Sequence, residues 1–198
     1  MTPMSLPIEA FAVSTGAVFL GEIGDKTQLL ALLLASRFRR PLPVIAGILV
    51  ATLANHALAV YAGRSLNGLL DPTWLPWIVG LSFIGVGLWA LVPDQLDDKD
   101  AGPARGSVFW ISTVAFFLAE IGDKTQLATA VLGARYDLFL PVLAGTTGGM
   151  LLADVPVVLL GGALAARLPL KPIRWSAAAL FILLGVLSLV FHGRLATG

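Results

Sequence analysis

The sequence contains no cysteine, which excludes disulfide bonds, thiolate zinc or iron–sulfur sites and a cysteine nucleophile. It is also poor in charge, because only 13% of its 198 residues are Asp, Glu, Lys or Arg, against roughly 25% in an ordinary soluble domain. The formal net charge is +1, so no excess of positive charge is present to attract a nucleic acid. We therefore expect neither a soluble globular protein nor a nucleic-acid partner. Any metal site must use oxygen or imidazole ligands.

Long apolar runs are abundant instead, and 57% of the residues are hydrophobic. Six runs have about the 20 residues that a membrane-spanning helix needs, at 8–36, 42–63, 74–92, 107–133, 139–166 and 173–192. The first run lacks the basic start and the small-residue cleavage site of a signal peptide, so we expect it to remain as a helix. The predicted fold is an all-α integral membrane protein with six transmembrane helices.

One hydrophilic segment divides the chain near its middle. Residues 93–106 contain four aspartates and have the composition of a solvated linker, although a collector of cations is an alternative role. Eight Lys and Arg residues fall in the loops on the side of this linker and three on the other side. Because cations concentrate in cytoplasmic loops, we expect the linker in the cytoplasm and both termini outside it. The expected location is the inner (plasma) membrane, crossed several times.

The sequence repeats itself after 98 residues without a gap. The shift superposes the segment EIGDKTQL at 22–29 on an identical copy at 120–127, and it superposes Gly47 on Gly145. The chain is thus predicted to duplicate a three-helix unit, with repeats at 8–92 and 107–192. Because three is odd, the second copy should cross the membrane in the opposite direction. Such inverted repeats are frequent in transporters, whose site lies near the midplane at the repeat interface.

Each copy of the repeated segment carries three charged residues within an apolar run. They are Glu22, Asp25, Lys26, Glu120, Asp123 and Lys124. A charge at the bilayer centre costs about 2.5–3.5 kcal/mol on insertion scales, whereas an i,i+4 ion pair stabilises a helix by only about 0.2–0.5 kcal/mol. Helix-stabilising ion pairs therefore do not explain two complete copies, and we interpret the charges as functional.

Helix geometry predicts that these charges share one face. In a continuous helix Glu22, Asp25 and Lys26 lie within about 60° of each other. Gln28 falls beside Asp25, while Thr27 points more to the side. The equivalent residues of the second copy are Thr125 and Gln126. A glycine inside each motif, Gly24 or Gly122, lets another backbone approach or lets the helix unwind.

If the pseudo-symmetry brings both motifs together, four carboxylates and two amides form one oxygen-lined site. Its predicted metal ligands are Glu22, Asp25, Glu120, Asp123, Gln28 and Gln126. Hard divalent cations bind through such oxygens. With both lysines facing the site its net charge is −2, which one divalent cation or two protons would neutralise, so competition between them would couple their movements.

Two further ionisable residues coincide under the shift, His56 in the second run and Asp154 in the fifth. They are candidates for proton coupling or for one extra ligand. A neutral, hydrogen-bonded histidine in the protein core is an equally good interpretation of His56. Glycines of the fifth run, among them Gly145, Gly148 and Gly149, are predicted to form close-packing surfaces.

The segments FLGEIGDKTQLLALLLASR and FLAEIGDKTQLATAVLGAR resemble the twin E-x-G-D-K-[TS] motifs of the Gdt-one-like family, also called uncharacterised protein family sixteen. That family includes Golgi manganese and calcium transporters and bacterial manganese exporters. The resemblance covers nearly the whole chain and implies proton-coupled exchange of Mn²⁺ or Ca²⁺, with no cofactor. It implies that the motif carboxylates bind the cation. These are Glu22, Asp25, Glu120 and Asp123, with the family's Lys and Thr at Lys26, Thr27, Lys124 and Thr125.

The leading prediction is a secondary antiporter that exports Mn²⁺, or Ca²⁺, in exchange for protons. The same fold carrying Mg²⁺ or a cationic amino acid is the first alternative, because carboxylates alone do not separate these cargoes. A membrane hydrolase of lipid phosphates is the enzyme alternative, but no Ser or His nucleophile accompanies the motifs. No phosphate-binding glycine-rich loop occurs, so ATP-driven pumping is not expected.

Overall fold

The computed structural model describes residues 5–69, 71, 73–92, 106–160 and 170–195. Within these ranges the chain forms eight α-helices and no strand. They are α1 (Ser5–Glu22), α2 (Lys26–Phe38), α3 (Pro41–Leu69), α4 (Leu75–Ala90), α5 (Val108–Glu120), α6 (Lys124–Tyr136), α7 (Phe139–Leu160) and α8 (Leu170–Leu195). The linker predicted at 93–106 lies outside the described residues except for Gly106.

The first and fourth apolar runs are not continuous helices, and this part of the prediction is wrong. The first run divides into α1 and α2, whose axes are bent by 69°, and the fourth divides into α5 and α6. The reason is local, because Gly24 has φ 79° and Gly122 has φ 75°. A residue in that left-handed region cannot continue a right-handed helix, and glycine adopts it without steric cost.

Polar and apolar side chains are distributed as expected for a protein in a bilayer. Leu42 is 76% exposed and Leu118 is 63% exposed, whereas Glu22 and Asp154 are completely buried. Among the described residues, two helices have the length and composition to cross a membrane, at Pro41–Leu66 and Phe139–Leu160. The bent pair α1–α2 would make a third span, and α4, α5 and part of α8 are shorter apolar helices.

Glycines allow α1 to pack closely on α7, and α3 on α5. A Cβ atom built on Gly145 of α7 would lie 2.6 Å from the carbonyl oxygen of Phe11 and 2.9 Å from Cβ of Ser14. The equivalent Gly47 of α3 meets Phe109 and Ser112, the residues that match Phe11 and Ser14 under the 98-residue shift. Each half of the chain therefore packs against the other through equivalent contacts.

The predicted close packing of the fifth-run glycines is confirmed at two of the three described positions, and the same prediction for Gly161 and Gly162 lies outside the described residues. Gly145 and Gly149 both face α1, but a Cβ atom on Gly148 would meet nothing within 4 Å. The helices α4 and α8 form a third close pair, in which the rings of Phe83 and Phe181 stack with their centroids 6.3 Å apart. The first break, 23–25, is largely buried, whereas Ile121 and Gly122 of the second break are exposed and only Asp123 is buried there.

Candidate cation-binding site

The two charged motifs lie at the helix breaks rather than on helix faces. Glu22 and Glu120 are the last residues of α1 and α5, and Lys26 and Lys124 are the first residues of α2 and α6. Asp25 is the N-cap of α2, with extended backbone angles. The prediction that one continuous helix aligns the carboxylates is therefore wrong, while the alternative of an unwound backbone at the glycine is confirmed.

Glutamine side chains stabilise both breaks. The backbone N–H of Gly24 donates to Oε1 of Gln28 at 2.8 Å, and the N–H of Gly122 donates to Oε1 of Gln126 at 2.7 Å. Each amide also donates to the other half of the chain. Gln28 reaches the carbonyl oxygen of Ala153 at 3.1 Å, and Gln126 reaches Oδ1 of Asn55 at 3.3 Å. Each glutamine oxygen thus uses one of its two lone pairs on the glycine N–H, which leaves the other lone pair for a metal ion.

The motif threonines hold the glutamates. The hydroxyl of Thr125 donates to Glu120 at 2.5 Å and lies 3.2 Å from Asp123. Thr27 is completely buried and makes the same two contacts, with Glu22 and Asp25. The prediction that Thr27 points to the side is wrong, because the break turns α2 so that its first hydroxyl faces the end of α1. Each threonine thus joins the two carboxylates of its own motif.

The motif lysines pair across the halves. Nζ of Lys26 lies 3.4 Å from Oδ1 of Asp123, and Lys124 forms an ion pair with Asp25. The two pairs differ in exposure, since the Lys26 side chain is 28% exposed and that of Lys124 is 5% exposed. The structure therefore brings the motifs together through two crossed Lys–Asp ion pairs, which the sequence analysis did not anticipate.

His56 and Asp154 lie next to the opposite motif. Nε2 of His56 is 3.7 Å from Oε1 of Glu120, and both groups are buried. Asp154 is near enough to Glu22, Asp25 and Glu120 for its charge to repel theirs. Neither oxygen of the Asp154 carboxyl has a hydrogen-bond partner among the described residues. The two halves are therefore chemically unequal, with imidazole on one side and a carboxyl group on the other.

A cavity of about 400 Å³ reaches one motif. Asp123, Gly122 and Gln126 supply its polar wall, and apolar side chains that include Leu58 and Trp89 supply the rest. The matching glycine of the first motif, Gly24, is buried. Access to the two motifs is thus unequal, and the cavity reaches Asp123, the buried partner of the partly exposed Lys26.

Asn55 is a functional residue that the predicted site does not include. Its side-chain amide donates to the carbonyl oxygen of Phe117 at 3.0 Å. Its Oδ1 also accepts from Gln126, so it supports the second break. The 98-residue shift places Asn55 on Ala153, whose carbonyl oxygen accepts from Gln28. The repeat could therefore have predicted a role for Asn55, because glutamines at equivalent positions need hydrogen-bond acceptors at equivalent positions.

Comparison with known proteins identifies the family. The model of the family described as "Divalent cation/proton antiporter GDT1" matches residues 10–98 and 108–194. The chain belongs to this family. No solved structure matches the chain.

Relatives from bacteria and plants align over most of the chain. A protein of Vibrio cholerae serotype O1 named as a candidate manganese exporter is 50% identical over 190 residues, which cover 96% of this chain and 94% of the relative. GDT1-like protein 5 of Arabidopsis thaliana is 31% identical, with 92% and 96% covered. A GDT1-like protein of Synechocystis is 26% identical, with 91% and 97% covered. The family is one of transporters rather than enzymes.

Chemically, the site offers many oxygens but no closed metal cage. Among the described residues, no three His, Asp or Glu side chains are close enough together to hold a metal ion. The carboxylates are instead occupied by internal partners, namely threonine hydroxyls and lysine ammonium groups. Such a site suits reversible binding of a cargo better than permanent retention of a cofactor.

Proposed function

We propose that this protein exports Mn²⁺ from the cytoplasm in exchange for protons, with both motifs contributing to one site near the membrane midplane. The observation that carries the proposal is the crossed pairing of Lys26 with Asp123 and of Lys124 with Asp25, since it requires the motifs to meet. Membership of a divalent cation/proton antiporter family and the name of the Vibrio cholerae relative support the same conclusion.

The proposed ligands are Glu22, Asp25, Glu120 and Asp123. All four are at least 98% buried, and carboxylate oxygens suit Mn²⁺ and Ca²⁺. The imidazole of His56, adjacent to Glu120, favours Mn²⁺ because nitrogen is a better ligand for Mn²⁺ than for Ca²⁺ or Mg²⁺. These groups do not converge as they stand, so binding must draw the carboxylates together.

Protons compete for the same oxygens. A carboxylate buried among other carboxylates gains from either a proton or a cation, and the arrival of one releases the other. We assign His56 and Asp154 as further proton carriers, since both are fully buried beside motif glutamates. Gln28 and Gln126 complete the proposed site as supports of the helix breaks, and as ligands through the second lone pair of each amide oxygen.

The proposed architecture is two inverted three-helix repeats at 8–92 and 107–192, joined by a cytoplasmic linker at 93–106. Two observations support it: the family model matches two segments, 10–98 and 108–194, and the glycine contacts of Gly47 and Gly145 are equivalent. We propose an inner-membrane location with both termini outside the cytoplasm. A cysteine introduced at position 97 should then react with an impermeant thiol reagent only after cells are permeabilised. Reaction in intact cells would reverse the orientation.

Transport is tested by trapping a pH-sensitive dye in proteoliposomes and adding Mn²⁺, Ca²⁺, Mg²⁺ or lysine in turn. We expect Mn²⁺ to drive proton movement in the wild type, and Asp25→Asn to abolish the signal. Asp137→Asn is the matched control, because Asp137 is 57% exposed and lies outside the site. Proton movement driven by lysine or Mg²⁺ but not by Mn²⁺ would contradict the assignment of Mn²⁺ as the substrate. Silence with every cation, in correctly folded protein, would refute coupled exchange.

A further inference from the structure

The lysine that opens each broken helix is in an electrostatically poor position. Lys26 and Lys124 are the first residues of α2 and α6, where the positive end of the helix dipole disfavours a cation. Lys124 is also buried, and Lys26 is only partly exposed to solvent. A nearby negative charge must therefore compensate each lysine, and the structure supplies it from the opposite motif.

The compensating oxygens are the ones that the transported cation needs. Lys26 is 3.4 Å from Oδ1 of Asp123, and Lys124 pairs with a carboxyl oxygen of Asp25. A divalent cation and an ammonium group at the same carboxylate repel each other, because both are positive. Lysine and substrate therefore compete for each aspartate.

We propose that Lys26 and Lys124 are tethered competitors of the substrate, which occupy Asp123 and Asp25 while the site is empty and are displaced when the cation binds. The proposal rests on the proposed function, since it assigns the motif aspartates to cation binding. In this proposal the two lysines lower the affinity of the site for the cation. A transporter must release its cargo, and a built-in competing cation provides the means.

Charge counting gives the direction of the effect. Four motif carboxylates and two lysines carry −2, so a divalent cation makes the cluster neutral while both lysines remain nearby. Removing one lysine leaves −3 in the empty site, which attracts a divalent cation more strongly. The same removal deprives the loaded site of the group that returns to the aspartate on release. Tighter binding and slower turnover should therefore appear together, whereas removal of a carboxylate should weaken binding and transport alike.

Substitutions of the two lysines should differ in how strongly they destabilise the fold. Lys124 is 5% exposed, so Lys124→Gln leaves the buried Asp25 without this counter-charge and should destabilise the fold. The side chain of Lys26 is 28% exposed beside the cavity at Asp123, and Lys26→Gln should be tolerated. Lys26→Arg keeps the charge. Arg64→Gln removes a cation from an exposed pair with Asp137, outside the site, and is the matched control.

The experiment measures Mn²⁺ binding to the detergent-solubilised full chain by titration calorimetry, and Mn²⁺-driven proton movement in proteoliposomes. We expect Lys26→Gln to lower the Kd for Mn²⁺ by about tenfold and to slow turnover. Lys26→Arg and Arg64→Gln should bind like the wild type. Lys124→Gln, where it folds, should behave as Lys26→Gln does.

Two failures are distinguishable. If the wild type neither binds nor transports Mn²⁺, the proposed function is wrong. If the wild type does both and Asp25→Asn abolishes them, but Lys26→Gln binds Mn²⁺ with unchanged or weaker affinity, the proposed function stands and the competitor role is overturned. A weaker affinity would assign Lys26 to the support of the site instead.

Discussion

Replacing Gly149 by alanine tests the close packing of α7 on α1. A Cβ atom at this position would lie 2.5 Å from the carbonyl oxygen of Thr15 and 2.9 Å from the amide nitrogen of Phe19, where ordinary contacts begin at 3.4 Å. Both neighbours are backbone atoms, so no side-chain rotation relieves the overlap. The helices must separate, and such overpacking costs about 1–3 kcal/mol.

Gly148→Ala is the matched control on the same helix. Its new methyl group would meet nothing within 4 Å, and alanine favours a helix over glycine by about 0.5–1 kcal/mol, so this variant should be neutral or more stable. For a chain of this size 1 kcal/mol corresponds to about 2–4 °C, and the gain in helix propensity is common to both variants, so the Tm of Gly149→Ala should lie about 2–12 °C below that of Gly148→Ala.

The assay follows helix loss by circular dichroism during heating in detergent, since the described residues are helical. Transport is measured on the same variants, because α1 ends at Glu22 and a displaced α1 moves that carboxylate away from Asp154 on α7. We expect activity to fall in Gly149→Ala and to persist in Gly148→Ala. Equal Tm values for the two alanine variants would refute the packing argument.

Substitutions at three other positions test the break, the threonine support and the surface. Gly24→Ala forces a side chain into φ 79°, which costs about 1–2 kcal/mol, so transport should fall sharply; wild-type transport would show that the break is dispensable. Thr125→Ser should retain the Mn²⁺ affinity measured by calorimetry, because the serine hydroxyl still donates to Glu120. Thr125→Val removes the hydroxyl and should lose that affinity. Equal affinities of the two variants would contradict this role of the hydroxyl. Arg64→Ala breaks an exposed pair with Asp137, and the free energy of unfolding should change by less than about 1 kcal/mol, so a larger fall in Tm would assign the pair a structural role.

The repeat alone predicts that the two motifs contribute to one site. This prediction rests on an exact eight-residue copy at a constant spacing, and it does not depend on whether either motif is helical. The expectation that the charges share one helix face is wrong for a physical reason. It assumed a constant 100° per residue, and Gly24 and Gly122 interrupt that rotation. Predicting the consequence of each glycine required a choice between close approach and unwinding, which depends on packing that a single sequence does not contain.

The pairing of the lysines was beyond sequence reasoning as well. Local spacing favours Lys26 with Glu22, four residues earlier, and that pairing holds only on an uninterrupted helix. Once the helix breaks, the lysine side chain points toward the opposite motif and meets Asp123. The position of His56 beside Glu120 likewise follows from how α3 packs on α5, which burial and periodicity alone do not specify.

The crossed contacts between the halves also bear on how the protein is made. Gln28 binds a carbonyl oxygen 125 residues further along the chain, and synthesis proceeds at about 5–20 residues per second. The first motif therefore waits roughly 6–25 s before the ribosome has produced the residue that its glutamine binds. During that interval the carboxylates and the lysine of the first half have no second motif to meet. Insertion of the early helices must keep these groups near water or inside the insertion machinery until α6 and α7 arrive.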